Sequence, residues 1–288
     1  MIGIVGIVVT FAMVFGGYLL AGGKLGVILH SLPYEMMMIG GAAVGAFLLS
    51  NEMGVVKQAL GGIGRSIKGP KWHESDLQDV LCLLFQLLRI ARANPVELEG
   101  HIEDPANSPI FQAYPRILAD AQAVELICDT LRSASLNYDD PYQVEEMLSQ
   151  RIGLMNEEAM HGSHALQNMA DALPALGIVA AVLGVIKTMS SIDQPPEVLG
   201  KMIGGALVGT FLGVFLAYAI VAPFAQRLQA VTKQDQSFYD VIKSVLVAGL
   251  HQHATNLCVE VGRQSAPEHV RPSFGDLENA LRDLKRAA

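Results

Sequence analysis

The chain has 288 residues, a net charge of −8, 17% charged residues and a mean hydropathy of +0.36. Half of it (51%) is apolar, more than a water-soluble protein of this length has interior to hide. That composition excludes an ordinary soluble domain, and the acidic balance speaks against a nucleic-acid partner.

In chain order, the first uncharged run is Met1 to Gly23. It has neither a basic leading segment nor a small-x-small cleavage site, so it reads as a retained helix and not as a signal peptide. Met36 to Asn51, Ala172 to Ile186 and Met202 to Gln226 are the other uncharged runs. A hydrocarbon core of about 30 Å takes about 20 helical residues, and flanking charges at the interface let the shorter runs cross as well. The expectation is an all-α, polytopic membrane protein with four transmembrane helices and a helical cytoplasmic domain. Helices 1 and 2 fall in residues 1–50, a cytoplasmic helical domain in 51–170, helices 3 and 4 in 171–223, and cytoplasmic helices and tail in 224–288. An even number of spans places both termini on one side, with the two large hydrophilic regions. Those regions hold most of the Lys and Arg, leaving Lys24, Lys187 and Lys201 near the opposite face. The positive-inside rule therefore puts both termini in the cytoplasm.

Within the hydrophilic regions, Gly64 to Lys71 reads as a basic, glycine-bearing connector. Leu77, Val80, Leu81, Leu84, Leu87, Leu88 and Ala91 then follow helical spacing, ending before Asn94 and Pro95. A second helix is predicted from Pro115 to Ser135, and a third from Pro141 to Ala170 that runs on into the membrane. The chain past Pro223 keeps a helical pattern through Val247. The polar tail from Ala266 to Ala288 is expected to be only partly ordered.

The two apolar segments of the second half carry ladders of small residues. Gly205, Gly209, Gly213 and Ala217 recur every fourth residue, which places them on one stripe where a neighbouring backbone can come close. Leu173 to Met189 does the same more loosely, with Gly177 and Ala181 on one row and Ala180 and Gly184 on the next. Both segments are expected to pack in a bundle.

No P-loop, dinucleotide-binding, zincin or nucleophile-elbow motif occurs, so no catalytic residue, metal or cofactor is expected. The pairs His161 and His164, and His251 and His253, lack a matching ligand set and read as solvated or structural. Cys82, Cys128 and Cys258 are far apart and fit reduced thiols. Glu35, Asp171, Asp193 and Glu197 read as lying near span ends, so the spans lack a deep acid. An ion-driven device needs one, and a partner chain would have to supply it. Thr210 and Thr188 offer hydroxyls, each of which also reads as bonding its own helix.

At LPALGIVAAVLGV, GGALVGTFLGVFLAYAIVAP, VFGGYLLAGG, YPRILADA and RPSFGDLE, the chain resembles the MotA family of flagellar stator subunits, within the MotA/TolQ/ExbB proton channel group. The resemblance covers nearly the whole length. It implies a homo-oligomer, a pentamer, in the bacterial inner membrane around the helices of a MotB dimer whose aspartate carries the ion. It implies a conformational role for Pro174 and Pro223, the family's prolines at the cytoplasmic ends of the third and fourth spans; Pro174 reads equally as a helix start. It places Arg92 and Glu99, with Arg89 and Glu97 beside them, on the charged surface that meets the rotor protein FliG. By themselves these charges read as a solvated helix face. Asn94 and Pro95 depart from the family's glycine turn. Sodium-using relatives carry threonine at the position matching Ala181, beside the threonine matching Thr210, so proton coupling is expected. Two other readings are an ExbB- or TolQ-like energiser of an outer-membrane process and a passive oligomeric scaffold.

Overall fold

All regular structure among the described residues, 2–136 and 140–287 of a computed structural model, is helical, with no strand. The chain divides into two units by its internal contacts: the chain through Gly69 together with Ala159–Val231, and Pro70–Glu158 together with the chain from Thr232 onward.

The first unit opens with α1 (Ile2–Leu20), which turns at Gly22, whose φ of +82° suits glycine. Next comes a continuous helical run of α2 (Leu25–Glu35), a π-helical segment (Met36–Gly40) and α3 (Gly41–Ser50). The π segment follows Pro33, which has no N–H to donate and so disturbs the hydrogen-bond ladder locally. The run is 26 residues long, Leu25–Ser50, and starts well before the uncharged stretch that the sequence marks as the second span. It therefore takes in Glu35, which the sequence marks as lying near a span end.

α4 (Met53–Lys68) absorbs most of the predicted connector. Val56, Ala59, Gly62 and Ser66 recur on one buried face, and this amphipathic pattern outweighs the glycines; the chain breaks only at Gly69, φ +94°. Two long helices supply both units: α10 (Pro141–Met189) and the run of α11 (Pro196–Phe215), a π segment (Leu216–Val221) and α12 (Ala222–Leu250). They contain 49 and 55 residues, about 74 and 83 Å at 1.5 Å per residue, far longer than a bilayer core requires.

Among the described residues, three helical runs are long and apolar enough to cross a membrane: Leu25–Ser50, Pro141–Met189 and Pro196–Leu250. The apolar part of α1, Val5–Leu20, is shorter. α1 is nevertheless tied to α11 by aromatic rings: Phe11 meets Phe215 edge-on at 5.2 Å, and Phe15 meets Phe211 and Phe215.

In the second unit, α5 (Glu74–Ala93) is the central helix, with Leu77, Val80, Leu81, Leu84 and Leu87 all buried. Around it lie α6 (Pro95–Glu103), the short α7 (Pro109–Gln112) and α8 (Pro115–Leu118), α9 (Ala121–Leu136) and α13 (Thr255–Ser265). The helix expected from Pro115 is interrupted after Leu118, because Asp120 Oδ1 accepts from the Ala123 N–H and restarts the chain as α9. The tail is more ordered than its polarity suggests. Ser273 caps α14 (Phe274–Ala287), whose Leu277 and Leu281 are buried in the α5 core.

The YPRILADA motif holds this unit together. Asp120 receives the Lys71 ammonium and the Tyr239 hydroxyl, Arg116 pairs with the buried Asp76 at 3.0 Å, and Tyr114 accepts from Gln86. Beside this network Trp72 stacks on Phe238 at 3.9 Å.

The three cysteines are unpaired and buried. Burial pushes the Cys82 and Cys128 thiols up to about 12. Below the ordinary thiol value of 9.0 neither the folded nor the unfolded chain ionises there. Above it the unfolded chain releases these protons while the folded chain keeps them, so stability falls as pH rises toward 12. A thiol reagent at neutral pH is expected to leave both residues unlabelled until the protein is denatured, and mass spectrometry of the labelled peptides reads this directly.

Candidate functional site

Small residues bring α10 and α11 together at backbone distance. A methyl group added to Gly213 would lie 2.7 Å from the Leu173 carbonyl oxygen and 2.8 Å from Gly177 Cα. One added to Gly177 would lie 2.9 Å from the Gly209 carbonyl oxygen. At both places a side chain has no room, which is why the sequence keeps glycine there. The seam on α10 is formed by Gly177, Ala180 and Gly184, which meet Gly213, Gly209 and Ala206. Ala181, expected on the same row as Gly177, is half-buried to one side. The α11 ladder serves two neighbours: Gly209 and Gly213 face α10, whereas Gly205 and Gly209 face Ser31 and Glu35 of α2.

Pro174 lies inside α10, one residue beyond the carbonyl that touches Gly213, so its reading as a helix start gives way to that of a proline within a continuous helix. It removes the N–H that the Ala170 carbonyl would use, in a buried stretch that includes Ala170 and Leu173. Pro223 is exposed at the second residue of α12, directly after the π segment Leu216–Val221. Pro174 thus removes one bond from an otherwise continuous α-helix, whereas Pro223 follows a stretch where the ladder is already irregular. Thr210 is half-buried and follows Gly209, so it points about 100° round the helix from the α2 contact. Thr188 does bond its own helix, donating to the Gly184 carbonyl at 2.9 Å.

Glu35 is the residue that the sequence misplaces. It lies inside the 26-residue run Leu25–Ser50, not at its end, and is only 5% exposed. Its carboxylate faces Gly209, and Oε2 has no hydrogen-bond partner.

The second candidate surface lies where α5 gives way to α6. Arg92, Glu97 and Glu99 are exposed and Arg89 is half-buried. Arg89 and Arg92 are three residues apart and share a face of α5. Asn94 caps α6, accepting from the Glu97 N–H at 3.4 Å and donating to its Oε2 at 3.3 Å. Pro95 then occupies the first helical position, where a missing N–H costs nothing. This corner replaces the glycine turn expected from the family. Arg92 Nη2 donates to the His253 carbonyl, which anchors the guanidinium while leaving the residue exposed.

Long apolar helices sealed by a glycine seam, with no charge between Ala172 and Ile186 or between Met202 and Gln226, define a helical membrane protein of several candidate spans. The comparisons agree: residues 119–240 match the MotA/TolQ/ExbB proton channel family, and residues 4–95 match the family described as Motility protein A N-terminal. The chain is 36% identical to Motility protein A of Salmonella typhimurium over 283 residues, 98% of this chain and 95% of the relative. Motility protein A of Escherichia coli is 35% identical over the same shares. Among solved structures, the Campylobacter complex described as C. jejuni MotAB shares the fold, with a TM-score of 0.71 at 19% identity, covering 94% of this chain and 98% of that one. The chain belongs to the motility protein A family: it is a flagellar stator protein of the proton-channel type, and not an enzyme.

Proposed function

We propose that this subunit assembles as a ring of five in the bacterial inner membrane, around the helices of a MotB dimer, and turns proton flow into torque on FliG. The glycine seam between α10 and α11, uncharged from Ala172 to Ile186 and from Met202 to Gln226, carries this reading, because an ion passing along it needs a carboxylate that neither helix supplies. The name of the solved Campylobacter complex, which pairs a MotA with a MotB, supports the same partner. Beyond the seam, α10 leaves Ile178, Val182, Val185 and Ile186 about half exposed, apolar surface suited to lipid and to neighbouring copies.

In this reading α1 is a fourth span, both termini are cytoplasmic, and residues 51–170 and 224–288 form the part that meets the rotor. Protonation of the partner's aspartate removes a buried charge and changes which ring helices it packs against. Pro174 and Pro223 let α10 and α12 follow that change. Ala181, which has no oxygen to coordinate sodium, and Thr210 border the ion path, which favours protons. Arg89, Arg92, Glu97 and Glu99 then push on opposite charges of the rotor.

The test is complementation of a strain lacking its own stator. The expected result is motility with the unaltered chain, and loss of it with Pro174→Ala, flagella and membrane level being unchanged. Full motility of Pro174→Ala would remove the coupling role, and failure of the unaltered chain with its own MotB to restore swimming would contradict the stator reading.

A further inference from the structure

We propose that Glu35 is a proton-binding site belonging to this chain itself, loaded through a cavity between α2, α10 and α11. The proposal rests on the proton-channel reading and adds to it a protonatable group on the outer wall of the seam. Ten residues beyond Leu25, at 1.5 Å each, place Glu35 about 15 Å into a continuous helical run of 26 residues, well inside its ends. It lies at the level of Gly209, since a methyl group added there would come within 2.6 Å of Oε2. Thr210 is the next residue, turned to another face, so Glu35 stands behind the α11 wall from the path that Thr210 and Ala181 are proposed to border.

The carboxyl is 5% exposed and its Oε2 has no partner. An ionised carboxylate held there would be a buried charge without compensation, whereas the neutral acid carries an O–H that can donate to backbone bared by Gly209 or to water in the adjoining cavity. The cavity beside it measures about 510 Å³, room for many waters. Its titratable lining groups are His30 and Tyr34 from α2, Lys187 from α10 and Lys201 from α11, besides Glu35 itself. Lys187 and Lys201 lie near the helix ends, so the cavity leads from that end of the bundle inward to Glu35. A proton arrives from water at the mouth and adds to the carboxylate, giving the neutral acid; the same proton leaves when the site empties. The π segment that begins at Met36 gives the backbone beside Glu35 an irregular ladder, a place where the side chain can shift between the two states.

The test is difference infrared spectroscopy of the purified complex with its partner, titrated across pH, for the unaltered chain, Glu35→Gln and Glu35→Asp. The expected result is a protonated-carboxyl band that rises and falls with pH, is absent in Glu35→Gln and returns at a shifted position in Glu35→Asp. In vesicles, proton flux should fall several-fold with Glu35→Gln and recover in part with Glu35→Asp, at equal amounts of assembled complex. The proposal is overturned by a Glu35→Gln spectrum identical to that of the unaltered chain, which would mean that the carboxyl stays ionised against a neighbouring copy. Unaltered flux in Glu35→Gln overturns it as well. The infrared result is independent of swimming, so its failure is distinguishable from failure of the stator reading.

Discussion

Gly213→Val is expected to abolish motility and to reduce sharply the amount of assembled complex in the membrane. The added carbons would start 2.7 Å from the Leu173 carbonyl oxygen and 2.8 Å from Gly177 Cα, and both obstacles are backbone. No rotamer change relieves such a contact, so α10 and α11 must separate. Overfilling a packed interior typically costs about 1–3 kcal/mol even where side chains can yield, and here they cannot. Separation also strips the contacts of Ala180 and Leu212, both buried in the same cluster. Gly200→Ala is the matched control: nothing lies within 4 Å of its new methyl, and it should swim normally. Membrane fractionation and co-purification with the partner, followed by a swimming assay, check both. Normal motility of Gly213→Val would mean that α10 and α11 do not form a tight seam in the working state.

Reversing charge at the α5–α6 corner, Arg92→Glu with Glu99→Lys, is expected to stop rotation while leaving complex assembly and membrane level intact. Exposed ion pairs are worth about 0–1 kcal/mol each, so single neutral substitutions should reduce swimming only moderately. Reversal replaces attraction by repulsion at both positions. Arg92 also donates to the His253 carbonyl, so Arg92→Ala mixes a lost internal bond with a lost contact. Arg92→Lys keeps the charge and separates the two effects. Because Arg92 and Glu99 are exposed, a rotor contact made through them would be screened by salt, and raising ionic strength should weaken engagement of the unaltered protein. Swimming of the double reversal at the unaltered rate would remove this corner from the rotor contact.

The small-residue ladder was legible because its period of four matches a helix face, and nothing in a membrane segment competes with that signal. Which neighbours it serves was not legible. Gly205 turned toward α2 and Gly213 toward α10 look alike in one dimension. Glu35 was missed because a span read from hydropathy starts after the last charge. The helix begins eleven residues earlier, at Leu25, and takes in Pro33 and a buried acid that hydropathy treats as an end marker. Glycines concealed α4, whose buried face at Val56, Ala59, Gly62 and Ser66 tolerates them. The YPRILADA motif was one of five segments that carried the family resemblance, but its physical role depends on Lys71, Asp76 and Tyr239, which only folding brings to it. The charges at the α5–α6 corner carried no signal beyond the resemblance, since exposed Arg and Glu on a helix are ordinary.

The energetics suit this division of labour. A proton crossing the membrane releases about 2.3 kcal/mol per 100 mV, enough to bias a choice between nearly equal packing states and too little to break a large interface. In the proposed function, a seam of bare backbone between α10 and α11 would keep each subunit intact while weak surface charges would make and break contact with the rotor.

The most direct measurement is the rotation speed of tethered cells whose only stator contains this chain with its own MotB, as the proton and sodium gradients are varied separately. The account predicts a speed that rises with the proton gradient, falls to zero with a protonophore and ignores removal of sodium. A speed that follows sodium, or rotation that persists after the proton gradient is dissipated, would contradict it.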